Sequence, residues 1–221
     1  MINKIHSDLL ALQDEKYRDF SKTLVRTSYP VIGIRLPVLR AYADTLLKED
    51  SSPVFMNASY EEVLIHGIYI AKKKMPFAQK IKEIEDYLPL IDSWGICDSF
   101  VSSIKEIKKH KEEYFPYLLK YLSSHEEFIQ RYAFVVLLNY YVEERWYEKL
   151  IQIIKEEQYQ GYYSQMASAW LLSYLFMKFF DQTLSFVKEE EIDPFVLKKG
   201  IRKALDSYRL NKEQKMLLRR L

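Results

Sequence analysis

The sequence is poor in cysteine, glycine and proline, and each shortage narrows the possible folds. Of 221 residues, one is cysteine, five are glycine and seven are proline. The single cysteine, Cys97, excludes an internal disulfide and fits a reducing compartment. So few turn-forming residues disfavour a β-sandwich, which needs many tight turns, and favour long helices.

Long apolar runs are also missing. There is no early apolar run with a basic flank, and no uninterrupted apolar stretch of about 18 residues, so we predict neither export nor membrane spanning. The cytoplasm is the expected location. Hydrophobic residues nonetheless make up 48% of the chain, which is too apolar for disorder. We therefore expect residues 1–221 to form a single folded domain, and we expect a monomer.

The net charge excludes little, because 33 basic residues nearly balance 31 acidic ones and leave a formal charge of +2. Basic residues are nevertheless clustered locally. Two interpretations stay open: the clusters are solvated helix faces, or they contact phosphate groups. They comprise Lys72, Lys73 and Lys74; Lys105, Lys108, Lys109 and Lys111; Lys198, Lys199, Arg202 and Lys203; and Arg219 with Arg220.

Apolar residues recur with helical spacing along most of the chain, as they do in the segment from Phe77 to Leu88. The pattern predicts an all-α fold of about a dozen helices joined by short loops. Helix pairs recur at about 35–40 residues, which favours a HEAT-like helical-repeat solenoid with a concave surface. A compact multi-helix bundle is the alternative. We also predict that residues 94–110 continue as one helix and that Asp181 caps a further helix.

Several kinds of chemistry have no candidate residues. No glycine-rich loop follows a strand, so a nucleotide-binding loop is not predicted. The four histidines, His6, His66, His110 and His125, show no metal-ligand spacing with one another or with Cys97. We therefore expect no metal and no cofactor, and a buried, inert thiol at Cys97.

The stretch 91–100 is too polar for plain core and too aromatic for plain surface. If it is helical, Trp94 and Asp98 lie four residues apart and project from the same face. Taken alone, each has an ordinary interpretation, since tryptophan on a helix is usually core and aspartate usually caps or faces solvent.

Four short motifs give this stretch a context. They are Gly33-Ile34-Arg35-Leu36-Pro37, Ser93-Trp94-Gly95-Ile96-Cys97-Asp98-Ser99, Phe128-Ile129-Gln130-Arg131-Tyr132-Ala133 and Ala167-Ser168-Ala169-Trp170-Leu171-Leu172. With these motifs in this order, the chain resembles the DNA alkylation repair family, the AlkD-like DNA glycosylases. The first motif is similar to the family's GI-x-x-P segment, and the second to its central W-x-x-x-D motif. The third and fourth are similar to its x-QR-x-A and A-x-x-W-x-L helices.

The resemblance implies a curved helical-repeat protein that holds duplex DNA and releases N3- or N7-alkylated purines without a cofactor. By motif, Asp98 would be the catalytic carboxylate, and Trp94 and Trp170 the aromatic walls beside the lesion. The residues expected to bind DNA phosphates are Arg131, Arg35 and Arg40.

The chain departs from the family pattern at two positions. Leu24 stands where the family has an aromatic residue, and Ser173 where it favours arginine. A second function therefore stays open beside the glycosylase: a non-catalytic helical-repeat module that binds DNA or a protein partner.

Overall fold

The protein is all-α, as the sequence predicts. A computed structural model describes residues 4–49 and 52–221, and this part of the chain contains thirteen α-helices and no strand. Three short 3₁₀ helices occupy Leu88–Leu90, Lys105–Lys109 and Glu144–Trp146. The α-helices are α1 Lys4–Ala11, α2 Glu15–Leu24, α3 Leu36–Lys48, α4 Tyr60–Lys72, α5 Phe77–Tyr87, α6 Trp94–Ser103, α7 Lys111–Leu122, α8 Glu127–Tyr140, α9 Tyr147–Glu156, α10 Tyr162–Lys178, α11 Phe180–Glu189, α12 Pro194–Leu205 and α13 Lys212–Leu218.

The chain divides into two compact units, the first ending at Ile107 and the second starting at Lys108. The all-helical content is consistent with a helical-repeat fold. That residues 1–221 form one HEAT-like domain stays a prediction.

The core of the first unit is built around α4, whose residues are almost all buried and which packs against α3 and α6. Ser59 caps this helix, and its hydroxyl accepts the Glu62 N–H at 3.2 Å. The carboxylate of Glu62 accepts the N–H groups of Met56 and Ala58, so it orders the chain before the cap.

The C-terminal end of α4 is closed by a buried lysine. Lys80, on α5, donates its ammonium protons to the carbonyls of Ile70 and Lys73 at 2.5 and 2.6 Å, and to that of Ala71 at 3.2 Å. These carbonyls have no partner within the helix, so the ammonium satisfies them. Burial lowers the pKa of Lys80, and Glu106 counters this effect.

The second unit is built around α8 and α10, two long helices whose residues are mostly buried. They pack against each other, and α10 also packs against α12. Side chains cap the last two helices: Asp193 accepts the Val196 N–H at 2.9 Å, and Asn211 forms a capping box with Gln214.

Two predicted details are wrong. Helix α6 ends at Ser103, and a 3₁₀ helix follows it. The hydroxyls of Ser102 and Ser103 both donate to the Ser99 carbonyl, and such side-chain bonds compete with the helical backbone pattern. The other detail concerns Asp181, which lies inside the first turn of α11, because α10 is separated from α11 by Phe179 alone.

Candidate functional site

The first turns of α6 expose one narrow stripe of side chains. Trp94 is 37% exposed and Asp98, one turn later, is half-buried, whereas Gly95, Ile96 and Cys97 between them are buried. The predicted pairing of an indole and a carboxylate on one face is therefore present within the first unit. Cys97 is buried, as predicted, and forms no disulfide.

The indole of Trp94 is held by the end of α2. Its N–H donates to the Leu24 carbonyl at 3.3 Å. Leu24 is 52% exposed, and Phe20, one turn earlier on α2, is 57% exposed. Trp94 therefore lies beside an exposed apolar surface, and Leu24 supplies its backbone as well as its side chain to this surface.

Asp92 joins the end of α2 to the start of α6. Its carboxylate accepts the Thr27 hydroxyl at 2.8 Å and the backbone N–H and hydroxyl of Ser28 at 2.6 and 2.7 Å. These bonds fix the chain that follows Leu24 against the residue before the α6 cap, and so they position Trp94. Sequence reasoning missed Asp92, because nothing in the local pattern reveals a partner 65 residues away.

Tyr60 is a second residue that the sequence did not indicate. A Cβ added at Gly95 would lie 2.1 Å from the Tyr60 hydroxyl oxygen, so any other residue there would have to displace Tyr60. Burial raises the pKa of Tyr60, and the nearby charges of Glu61, Asp92 and Asp98 raise it further. The available signal was a glycine in the first turn of a helix. Glycine destabilises a helix, so its presence there indicates that another group approaches closely.

The Gly33-Ile34-Arg35 segment is anchored by a buried carboxylate. Glu61 is 1% exposed and accepts the N–H groups of Ile32, Gly33 and Ile34 at 2.9, 2.7 and 3.3 Å. Gly33 has a φ of +97°, and a Cβ there would lie 2.5 Å from the Asp14 carbonyl oxygen. The glycine of this motif therefore has a structural role.

The two arginines of this region are exposed. Arg35 precedes α3, lies over the Tyr17 ring at 4.5 Å and approaches Asp14 at 3.9 Å. Arg40 lies on the exposed surface of α3. Both are accessible to an anion from solvent.

The remaining predicted residues lie on adjacent helices of the second unit. Arg131, on α8, is only 6% exposed and donates to the Tyr163 carbonyl at 3.0 Å. Trp170, on α10, is half-buried, and the Lys203 ammonium lies over its ring at 5.6 Å. Ser173 is buried and donates its hydroxyl proton to the Trp170 carbonyl at 2.7 Å. A cation from α12 therefore stands close to Trp170.

The described part of the chain lacks two features. Within residues 4–49 and 52–221, no group of three or more His, Cys, Asp and Glu side chains could hold a metal ion. No helix in the same ranges is both long and apolar enough to cross a lipid bilayer.

The fold and the α6 stripe define the class: an all-α protein that presents a carboxylate beside an indole. The family follows from comparison with known proteins. The chain belongs to the DNA alkylation repair enzyme family, whose model matches residues 5–204. No curated protein matches the chain. Family membership supports a role in DNA repair.

Proposed function

We propose that the protein is a DNA glycosylase that hydrolyses the N-glycosidic bond of N3- and N7-alkylated purines in duplex DNA. The observation that carries this proposal is the exposed stripe of α6, where Asp98 and Trp94 share one face above buried neighbours. Membership of the DNA alkylation repair enzyme family supports alkylated DNA as the substrate class.

The substrate explains why one carboxylate suffices. Ordinary glycosides need a general acid for the leaving group and a second carboxylate for water or sugar. An N3- or N7-alkylpurine already carries a positive charge, so the base leaves without being protonated. The carboxylate of Asp98 then stabilises the oxocarbenium-like sugar and orients the attacking water.

Trp94 contributes an aromatic face beside this carboxylate. A cationic base or sugar is attracted to such a face by about 0.5–2 kcal/mol. The bond from its indole N–H to Leu24 fixes the ring, so little ordering is needed when DNA binds. Trp170 is proposed as a second aromatic residue beside the lesion.

Phosphate contacts are assigned to three arginines. Arg35 and Arg40 are exposed and suit the backbone of the duplex. Arg131, which is 6% exposed, is proposed to hold a phosphate close to the lesion. Its bond to the Tyr163 carbonyl fixes the planar group for such a contact.

The test is base release from N-methylated duplex DNA by the wild type and by Asp98→Asn. We expect the wild type to release N7-methylguanine or N3-methyladenine. Asp98→Asn should lose about 10²–10³-fold in single-turnover rate, as loss of one preorganised electrostatic group does in other enzymes.

A matched control is Asp86→Asn, which removes an exposed carboxylate on α5 of the same unit. Its rate should equal that of the wild type. No release by the wild type despite measurable DNA binding refutes the enzymatic reaction. Equal rates for Asp98→Asn and the wild type refute the role of Asp98.

One observation favours a second candidate, a non-catalytic module that binds DNA or a protein partner. Arg131 is almost fully buried and bonded to a backbone carbonyl, which is also the behaviour of a purely structural arginine. In that case Arg131→Ala would destabilise the fold, and the protein would bind methylated DNA without releasing bases.

A further inference from the structure

A groove in the second unit concentrates positive charge at the C-terminal ends of α8 and α10. It encloses about 630 Å³, and a smaller pocket of about 400 Å³ beside Trp170 shares Tyr174, Met177 and Arg209 with it. We call the two together the basic groove. Its cations are Lys108, Lys111, Lys178, Lys203 and Arg209, and its acidic residues are Glu143 and Asp206.

Two of the five cations already serve the fold. The Lys178 ammonium donates to the Val142 carbonyl at 2.5 Å, and Lys111 pairs with Glu143 at the same distance. Both side chains therefore have a structural partner, and neither is proposed as a phosphate contact.

The other three cations each lie over an aromatic ring. Lys108 lies 5.9 Å from the centre of the Tyr140 ring, Arg209 lies 5.7 Å from that of Tyr174, and Lys203 lies over Trp170. An aromatic face holds a cation in place without neutralising its charge. These three side chains are therefore positioned by the fold, and the ring contacts themselves leave their positive charge in place.

The groove is more basic than the second unit as a whole. The second unit contains 19 Lys and Arg against 16 Asp and Glu, so the excess of three in the groove equals that of the whole unit. Another pocket of the same unit contains Glu156, Glu157 and His125 and neither lysine nor arginine. A polyanion would be attracted to the basic groove and repelled from this second pocket.

The groove also runs along the axis of α10. Trp170, Tyr174 and Lys178 follow one another at intervals of four residues along one face of α10. Eight residues of α-helix rise about 12 Å. The phosphates of one DNA strand advance about 3.4 Å each along the duplex axis, so about three phosphates match this length.

We propose that the basic groove binds the sugar–phosphate backbone of one strand of duplex DNA, with Lys108, Lys203 and Arg209 as its phosphate contacts. The choice of DNA as the polyanion rests on the proposed function. The contacts carry no sequence information, and they position the duplex along α10.

The test is the salt dependence of binding to an undamaged 24-base-pair fluorescent duplex, measured by anisotropy between 50 and 200 mM KCl. In the triple variant Lys108→Gln, Lys203→Gln, Arg209→Gln, we expect the slope of log K against log salt to become shallower by about 2–3, because each phosphate contact contributes about 0.9. Each single variant should change the slope by about 1.

The matched control is the triple variant Lys149→Gln, Lys188→Gln, Lys212→Gln. It removes the same charge from exposed lysines of the same unit outside the groove, and Lys149 also lies over an aromatic ring, that of Trp146. Its slope should stay within about 0.5 of the wild type. Circular dichroism checks that both triple variants fold; should the groove triple unfold, the single variants decide.

Three outcomes would refute DNA binding by the basic groove: an unchanged slope in the groove variants, an equal change in the control, or no binding of duplex DNA by the wild type. Displacement of the duplex by inorganic phosphate at constant ionic strength would also overturn it, since it would indicate a site for a small anion. A wild type that binds DNA through the groove but releases no base would refute the proposed reaction and leave the groove standing.

Discussion

Replacing Glu61 by glutamine should loosen the segment that carries Arg35. The carboxylate oxygens of Glu61 accept three backbone N–H groups, those of Gly33 and Ile34 on Oε1 and that of Ile32 on Oε2. A carboxamide has one oxygen, so at least one buried N–H then faces an NH₂ group and loses its acceptor. The side chain keeps its size, which isolates the hydrogen-bonding effect from any cavity.

The expected cost follows from the number of donors left without an acceptor. One unsatisfied buried donor costs about 1–3 kcal/mol. For a protein of this size, each kcal/mol lowers the melting temperature by about 2–4 °C. Glu61→Gln should therefore melt about 2–12 °C below the wild type, and Glu61→Ala, which removes all three acceptor contacts, should be less stable still.

Two assays test this reasoning. Urea unfolding followed by circular dichroism gives the global cost, with Glu83→Gln on α5 as a control for the same chemical change at a half-buried carboxylate. Amide hydrogen exchange gives the local effect, because the protection of Ile32, Gly33 and Ile34 should fall more than that of the α4 core. A Glu61→Gln variant within about 0.5 kcal/mol of the wild type and with unchanged exchange at these amides would refute the role of Glu61.

Two further variants test contacts elsewhere. Gly95→Ala should destabilise the fold by about 1–3 kcal/mol, because its Cβ meets the Tyr60 hydroxyl, and Tyr60→Phe should restore much of this loss in a double-mutant cycle; additive effects would contradict the contact. Burial raises the pKa of Glu157 to about 7, so the folded state binds the proton more tightly than the unfolded state. Wild-type stability should then fall as pH rises from about 4.5 to 7 relative to Glu157→Gln, and equal urea midpoints across this range would disprove the shift.

Much of the fold could be predicted because helices are specified locally. The apolar spacing and the caps at Ser59, Asp193 and Asn211 lie within a few residues of the structure they specify. The spacing of Trp94 and Asp98 likewise placed them on one face as soon as α6 was predicted. Helix ends were less certain, as the early end of α6 at Ser103 shows, because competing side-chain bonds decide them.

The tertiary structure decided what surrounds these residues. Asp92 and Glu61 have no distinguishing feature in the sequence. In the structure, each accepts hydrogen bonds from backbone or hydroxyl donors about 30–65 residues away. The alignment of Lys108, Lys203 and Arg209 over three rings likewise depends on contacts between different helices. The sequence by itself determined the helices and the carboxylate–indole pair, since both follow from the 3.6-residue period. Only the packing of those helices decided which groups hold the indole in place and where the positive charge collects.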